Sequence, residues 1–131
     1  MAALVNWLPL LLRRRKREQS LAQAATWPTV TAKLLKSIVI EKDPLADGGT
    51  AFQDRQIESA FYFMLPDREG GSFYGGHLRS TPLSDTEAHR LVRNLPEDTP
   101  VTIRYNPANP DEAHALATDN EGSLPITIWP M

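Results

Sequence analysis

The chain has 131 residues, which suffices for one domain and is short for two. It contains no cysteine, so disulfide bonds and thiolate metal sites are excluded, and a reducing compartment fits. Its net charge of −2 combines two unlike parts: residues 1–26 hold five basic side chains and one acid (+4), and residues 27–131 hold nine basic and fifteen acidic side chains (−6). A mildly acidic body argues against nucleic-acid binding, and any attraction to phosphate should reside in the basic N-terminal part.

The N-terminal segment is apolar over residues 2–12 and basic over residues 13–17. This order is the reverse of a secretory signal, and the apolar run is too short to span a bilayer, which needs about 20 residues. A tryptophan among leucines, followed by a basic cluster, is typical of a segment at a membrane surface. The positive charges would then place the domain on the cytoplasmic side, peripheral to the inner face of the membrane. The predicted membrane or partner contacts are Trp7, Leu10, Leu11, Arg13, Arg14, Arg15, Lys16 and Arg17.

Two other interpretations of this segment stay open. Its leucines could cover an apolar patch of the domain or form a homo-oligomer contact, and residues 1–12 could be the end of a longer membrane helix. From about residue 10 to residue 26 the sequence favours a helix, which Pro28 ends. We therefore predict an N-terminal segment and helix over 1–26 and a small β-rich domain over 27–131.

The first half of the domain predicts three strands. From Thr29 to Glu41 apolar residues fall mainly at even positions, including Leu34, Ile38 and Ile40, with a bend or bulge near Leu35–Lys36. A polar loop over 43–54 leads to a second strand over 56–65. The turn over 66–71 and the strand over 72–78 complete a hairpin, in which the adjacent glycines 75 and 76 indicate a bulge or a close backbone approach.

The second half predicts a short helix and two more strands. Ser84 and Glu87 form a capping box for a helix that runs to about residue 94. Alternation over 101–105 predicts a fourth strand, and Asn109 is expected to cap a short helical turn through Leu116. A last strand over 124–129 contains a proline and should be terminal or at an edge. The predicted fold is mainly β with minor α: a five-stranded antiparallel sheet or partly open β-barrel, with an N-terminal helix and one short inserted helix.

Four segments together resemble a known family. They are Trp-Pro-Thr-Val-Thr-Ala from residue 27, the aromatic segments at 61–63 and 73–78, and Tyr-Asn-Pro-Ala-Asn-Pro from residue 105. This order resembles the bacterial domain-of-unknown-function family 3592 over about residues 27–117. The resemblance implies a small domain often attached to membrane helices, and it implies no activity.

Residues that could carry chemistry lie far apart in the sequence. His77, His89 and His114 are placed on a strand, a helix and a turn, without zinc spacing, so no metal or other cofactor is expected. The acids of the 43–58 region lack the alternation of a calcium loop. Tyr62, Tyr74 and Tyr105 could form a ligand surface, although core packing is the favoured explanation for aromatic residues of this kind.

The sequence thus favours a non-enzymatic accessory or protein-interaction module with an unknown protein partner. It would be cytoplasmic and peripheral to the membrane through residues 1–17, with homo-oligomerisation open. The alternative is a small ligand-binding protein or hydrolase that uses acidic residues of the 43–58 region. Such a protein would need a concave pocket where these acids converge.

Overall fold

The computed structural model describes residues 2–46, 49–66 and 70–129, with the side chains of 2–10 and of Arg14 outside the description. Two helices and six strands follow one another in the chain. They are α1 (Ala2–Ala24), β1 (Thr29–Glu41), β2 (Arg55–Leu65), β3 (Ser72–Ser80), α2 (Asp85–Val92), β4 (Pro100–Asn106), β5 (Asn109–His114) and β6 (Ile128–Trp129), with a 3-10 turn at Ala117–Asp119. The strands form one antiparallel sheet in the order β5-β4-β1-β2-β3-β6. The sheet curls into a half-barrel, which confirms the predicted fold class.

The sixth strand arises where a helical turn was predicted. Asn109 begins β5, which runs back along β4 and pairs Ala113 with Tyr105. The prediction was wrong because β5 is polar and shows no apolar alternation, so its strand conformation depends on backbone pairing with β4. His114 consequently lies at the end of a strand. The last strand is also shorter than predicted, since only Ile128–Trp129 pairs with β3.

The predicted bulge in β1 is confirmed, and it changes which residues face the core. The register with β2 shifts between Leu34 and Ser37. Before the shift even positions point inward, and Leu34 is buried. After it odd positions point inward, so Val39 packs on the core while Ile38 is 42% exposed. Our expectation that Ile38 and Leu34 share a face was therefore wrong, because the extra residue of a bulge reverses the alternation.

The core lies inside the curl of the sheet and is closed by α2. Phe61 and Phe63 of β2 form its centre, and Phe63 contacts the rings of Tyr74 and Tyr105 at centroid distances of 5.8 Å each. Gly76 lies opposite Phe61 in the β2–β3 pairing, and a Cβ on it would stand 2.7 Å from the Phe61 ring. This is the close backbone approach that the paired glycines predicted.

Helix α1 is longer than predicted, because it begins at Ala2 and passes through Pro9. The predicted helix began at about residue 10, and a proline inside a helix is unusual because it cannot donate the backbone hydrogen bond and crowds the preceding turn. The helix ends where expected, with Ala24 buried, and a turn leads to Trp27.

Helix α2 begins at the predicted cap. The Ser84 hydroxyl accepts a hydrogen bond from the Glu87 amide at 3.2 Å. Ala88 and Leu91 are the buried residues of this helix, and they complete the core opposite β1 and β2.

Candidate binding cleft

A cleft of about 610 Å³ lies between α1 and the sheet. One wall is the helix, from which Arg13, Lys16 and Arg17 line the space. The spacing of these three residues is i, i+3 and i+4, which places them on one face of a helix. The opposite wall comes from the loop after β1, from β2 and β3, and from the ends of β5 and β6; its polar and aromatic members are Asp43, Glu58, His77, Arg79, His114 and Trp129.

Arg17 is the most enclosed cation of the helical wall. Its guanidinium carbon lies 3.7 Å from the centroid of the Trp129 ring, and one terminal nitrogen donates to the Trp129 carbonyl at 3.4 Å. Its Nε is buried, and none of the residues that the structure describes accepts a hydrogen bond from it. Burial lowers the pKa of Arg17, partly offset by the attraction of Asp43. A guanidinium in such a position retains donor capacity toward the cleft.

The acids on the sheet wall are held by one arginine. Arg79 donates from one terminal nitrogen to Asp43 at 2.9 Å and from Nε to Glu58 at 3.0 Å. All three side chains are partly buried, with the carboxylates more enclosed than the guanidinium. Because both carboxylates share one cation, this trio carries a single net negative charge.

Asp43 is fixed by a buried polar cluster behind the cleft. The Gln56 side chain is fully buried, accepts from the Asp43 amide at 2.8 Å and donates to the Ser80 carbonyl at 2.7 Å. The Asp43 carboxylate also accepts from the Leu45 amide at 2.8 Å. These bonds tie the loop after β1 to β2 and β3, so the sheet wall is preorganised.

Arg104 joins the helix to the sheet at the other end of α1. Its guanidinium forms a bidentate ion pair with Asp119 at 2.8 and 3.0 Å. It also donates to the carbonyls of Ala25 and Trp27 at 2.9 and 3.0 Å. Hydrogen bonding to Arg104 lowers the pKa of Asp119 and raises that of Arg104. The exit of α1 is therefore clamped to β4 and to the 3-10 turn.

His114 lies between this clamp and the cleft. Its ring stacks on Trp27 with centroids 6.0 Å apart and planes inclined by 18°. Burial lowers the pKa of His114, and the positive charge of Arg17 lowers it further against the opposing effect of Glu112.

The residues predicted from the N-terminal segment fall into three groups. Trp7, Leu10 and Arg14 have side chains outside the described part of the structure. Leu11 is half-buried, and Arg13, Arg15 and Lys16 are exposed. Arg17 is half-buried against Trp129.

The three tyrosines predicted as a possible ligand surface are not brought together. Tyr74 and Tyr105 flank Phe63 on the core side of the sheet. Tyr62 lies on the other face, 6.3 Å from the ring of Phe73.

The acids of the 43–58 region are only partly gathered. Asp43 and Glu58 meet in the cleft, whereas Asp54 pairs with Arg55 at 3.1 Å. Asp47 lies outside the described residues. Within 2–46, 49–66 and 70–129, no three histidine or acidic side chains form a group that could hold a metal ion.

Fold and cleft together define a small, curled, mainly β domain with a clamped N-terminal helix and a cleft that has a basic helical wall and an acidic sheet wall. Residues 68–120 match the family model Domain of unknown function (DUF3592), which supports the resemblance to that family. The match confirms the resemblance for β3 and the Tyr105–Pro110 element, while the Trp27–Pro28 element lies before it. No curated protein and no solved structure matches the chain.

The family match covers only part of the cleft. His77, Arg79 and His114 fall within 68–120, whereas the helical wall, Asp43 and Trp129 fall outside. None of the described helices is long and apolar enough to cross a membrane.

Sequence reasoning missed Arg79 and Trp129 as cleft residues. A usable signal existed for Arg79: if the predicted hairpin pairs residue 65 with residue 72, then residue 79 falls opposite Glu58, and this is the observed register. Trp129 reaches the cleft through the pairing of β6 with β3, for which the sequence carries no local signal.

Proposed function

We propose that the chain is a non-enzymatic accessory module that sits at the face of a membrane and contacts it with the N-terminal end of α1. The observation that carries this proposal is the continuity of α1 from the apolar segment through the basic cluster into the clamped end at Arg104. Because the helix is continuous and its C-terminal end is clamped to the sheet, a membrane contact at its first turns would hold the whole domain close to the membrane.

Apolar and basic residues of α1 are separated along the helix axis rather than around it. Residues 2–12 would extend about 16 Å as helix, roughly half of the 30 Å hydrocarbon core. Leu12, the last of them, is 56% exposed, and the exposed Arg13, Arg15 and Lys16 follow at once. This polarity suits an end that enters one leaflet, with cations at headgroup depth contributing about 1 kcal/mol each toward an anionic surface.

The test is flotation of the full chain with vesicles of phosphatidylcholine and phosphatidylserine. We expect the chain to float, and the double variant Leu11→Asp/Leu12→Asp to remain at the bottom. The matched control is Leu35→Asp, which alters a leucine of β1 with 46% exposure and should float like the parent. Equal flotation of all three proteins contradicts the proposal.

Light scattering on the same variants tests the competing interpretation of the apolar segment. A full chain that is oligomeric in solution, and that Leu11→Asp/Leu12→Asp makes monomeric without any change in flotation, would assign the segment to a homo-oligomer contact. A monomeric parent that floats supports the membrane proposal.

A partner protein would find an apolar surface on the outer face of the β2–β3 hairpin. Phe73 is 70% exposed, pairs with the exposed Met64 across the hairpin, and lies beside Tyr62. Exposed aromatic residues of this kind are enriched at protein contacts. Proteins that co-purify with the parent chain and are lost with Phe73→Ser would support a partner here. Identical recovery with both chains would count against it.

The alternative function is ligand binding or hydrolysis. Of these two, the cleft favours ligand binding. Asp43 and Glu58 converge in a concave site, as that alternative requires, but both pair with Arg79. These ion pairs give both carboxylates a structural task, since they hold Arg79 in the sheet wall. The cleft therefore suits recognition of a charged ligand better than acid–base catalysis.

A further inference from the structure

We propose that the cleft between α1 and the sheet is a binding site for a phosphate group, held by Arg13, Lys16 and Arg17. Arg13 and Lys16 are also among the cations that we place at headgroup depth, but the cleft adds Arg17 and a wall from the sheet, so the site does not depend on whether α1 enters a leaflet.

The charge of the cleft favours a dianion. Its lining contains four permanent cations, Arg13, Lys16, Arg17 and Arg79, and two anions, Asp43 and Glu58, which leaves an excess of two positive charges with the histidines neutral. A phosphate monoester carries about −1.5 to −2 at pH 7 and offers three acceptor oxygens. A carboxylate would neutralise only half of this excess.

The two walls have different tasks. Arg79 pairs with two carboxylates and holds the sheet wall together. The cations of the helical wall lack such partners in the described structure: no ion pair joins Arg13, Lys16 or Arg17 to a carboxylate of the described residues. Three cations on one helical face provide hydrogen-bond donors on one side of the cleft. The fixed acidic wall opposite them repels an anion and limits how deeply it can enter.

Arg17 is the anchor of this site. Its guanidinium is oriented by stacking on Trp129, and its buried Nε lacks an acceptor among the described residues. Of its five N–H donors, one is satisfied by an acceptor among the described residues, the Trp129 carbonyl, so the guanidinium has donors left for a phosphate oxygen in the cleft that it lines. Trp129 thus acts as a positioning residue, and Arg17 is the residue that touches the ligand.

The test is a titration of the full chain with inorganic phosphate at constant ionic strength. The NMR signals of the Trp129 indole and the His114 ring report binding. We expect saturable shifts of both signals, whereas chloride at equal ionic strength should produce none. Arg17→Met keeps the apolar stem and removes the charge, and Lys16→Gln changes an exposed side chain, so we expect it to leave the fold unchanged. Each should weaken binding by about tenfold or more.

The control is Arg90→Gln, which removes an exposed arginine of α2 that pairs with Glu87 and lies outside the cleft. It should bind phosphate like the parent. Saturable binding that is weakened equally by Arg90→Gln and Lys16→Gln would overturn the proposal, because it would report general charge rather than a site.

A second arm separates a free phosphate from a lipid headgroup. Vesicles of phosphatidylcholine with phosphatidic acid present an exposed phosphomonoester, and vesicles with phosphatidylserine carry a comparable negative charge without it. A preference for phosphatidic acid that Lys16→Gln abolishes, together with weak or absent binding of inorganic phosphate, identifies a headgroup as the ligand. Binding of inorganic phosphate without that preference identifies a soluble phosphate compound.

Absence of both kinds of binding overturns the proposal. Because the first arm contains no membrane, its result is independent of whether α1 enters a leaflet.

Discussion

Gly76 lies against the buried ring of Phe61, and its replacement by alanine tests how β3 is held against β2. A Cβ at this position would stand 2.7 Å from Cζ of Phe61 and 3.3 Å from both Cε atoms. Optimal carbon contacts are about 3.5–4.0 Å, so the ring would have to move by close to 1 Å. Phe61 is 1% exposed and lies between β3 and the ring of Phe63, so little room exists for that movement.

The cost of Gly76→Ala follows from two opposing effects. Overpacking of a core costs about 1–3 kcal/mol. Loss of unfolded-state freedom on replacing glycine returns about 0.4–1 kcal/mol, since the φ of Gly76 is not in the positive region. The net destabilisation is about 1–2 kcal/mol, which corresponds to a decrease in Tm of about 3–8 °C for a domain of this size.

The assay is urea unfolding, with Gly71→Ala as the control. A Cβ on Gly71 would meet the Met64 sulfur at 3.0 Å, but that side chain is 52% exposed and free to move away. We expect Gly71→Ala to change stability by less than about 0.5 kcal/mol. A smaller side chain at position 61 should relieve the clash. The loss of stability in the double variant Phe61→Leu/Gly76→Ala should therefore be smaller than the sum of the two single losses. A Gly76→Ala protein as stable as the parent, with full additivity in the double variant, would refute the packing described here.

Three further predictions concern charges and caps. Arg17→Met should raise the pKa of His114, because it removes a positive charge that lowers this pKa. NMR titration of the His114 ring measures the change. An unchanged or lower pKa contradicts the proximity of Arg17 to His114. Because burial keeps the folded-state pKa of His114 below its ordinary value of 6.5, the stability that its neutral form contributes should be lost as pH falls from about 6.5 through the lowered pKa. A second loss should follow below the ordinary pKa of 3.8 of Asp119, whose carboxylate is stabilised by Arg104. Thermal melts between pH 8 and pH 3 check both, and a stability that rises on acidification from pH 7 to pH 5 would contradict the first. Ser84→Ala should cost about 1 kcal/mol in thermal unfolding by removing the cap of α2, whereas Ser84→Asp should retain most of it, and equal losses in both would contradict a capping role.

The parts of the fold that were predictable depend on local chemistry. Alternation in β2 and β4, the Ser84 cap and the glycine approach at β3 each follow from residues close in sequence. The bulge in β1 was indicated by the break in alternation at Leu35–Lys36, but the face assigned to Ile38 required the inversion that the bulge produces.

The parts that were not predictable depend on pairing between distant segments. β5 is polar along its length and becomes a strand only because β4 offers it an edge. The cleft likewise joins Arg17 to Trp129 and Asp43 to Arg79, over separations of 112 and 36 residues. Periodicity cannot show such contacts. Only the position of Arg79 opposite Glu58 could have been predicted, by counting residues along the hairpin.

The central claim, that the apolar end of α1 enters a membrane while the domain stays at its face, is open to one direct measurement. The chain has no cysteine, so a single environment-sensitive fluorophore can be attached at Leu12→Cys or at Gln19→Cys. These positions are exposed and lie about 10 Å apart along the helix axis. On addition of phosphatidylserine-containing vesicles, we predict that emission from position 12 shifts to the blue and emission from position 19 does not. Equal spectra with and without vesicles at position 12, or equal shifts at both positions, would contradict the account.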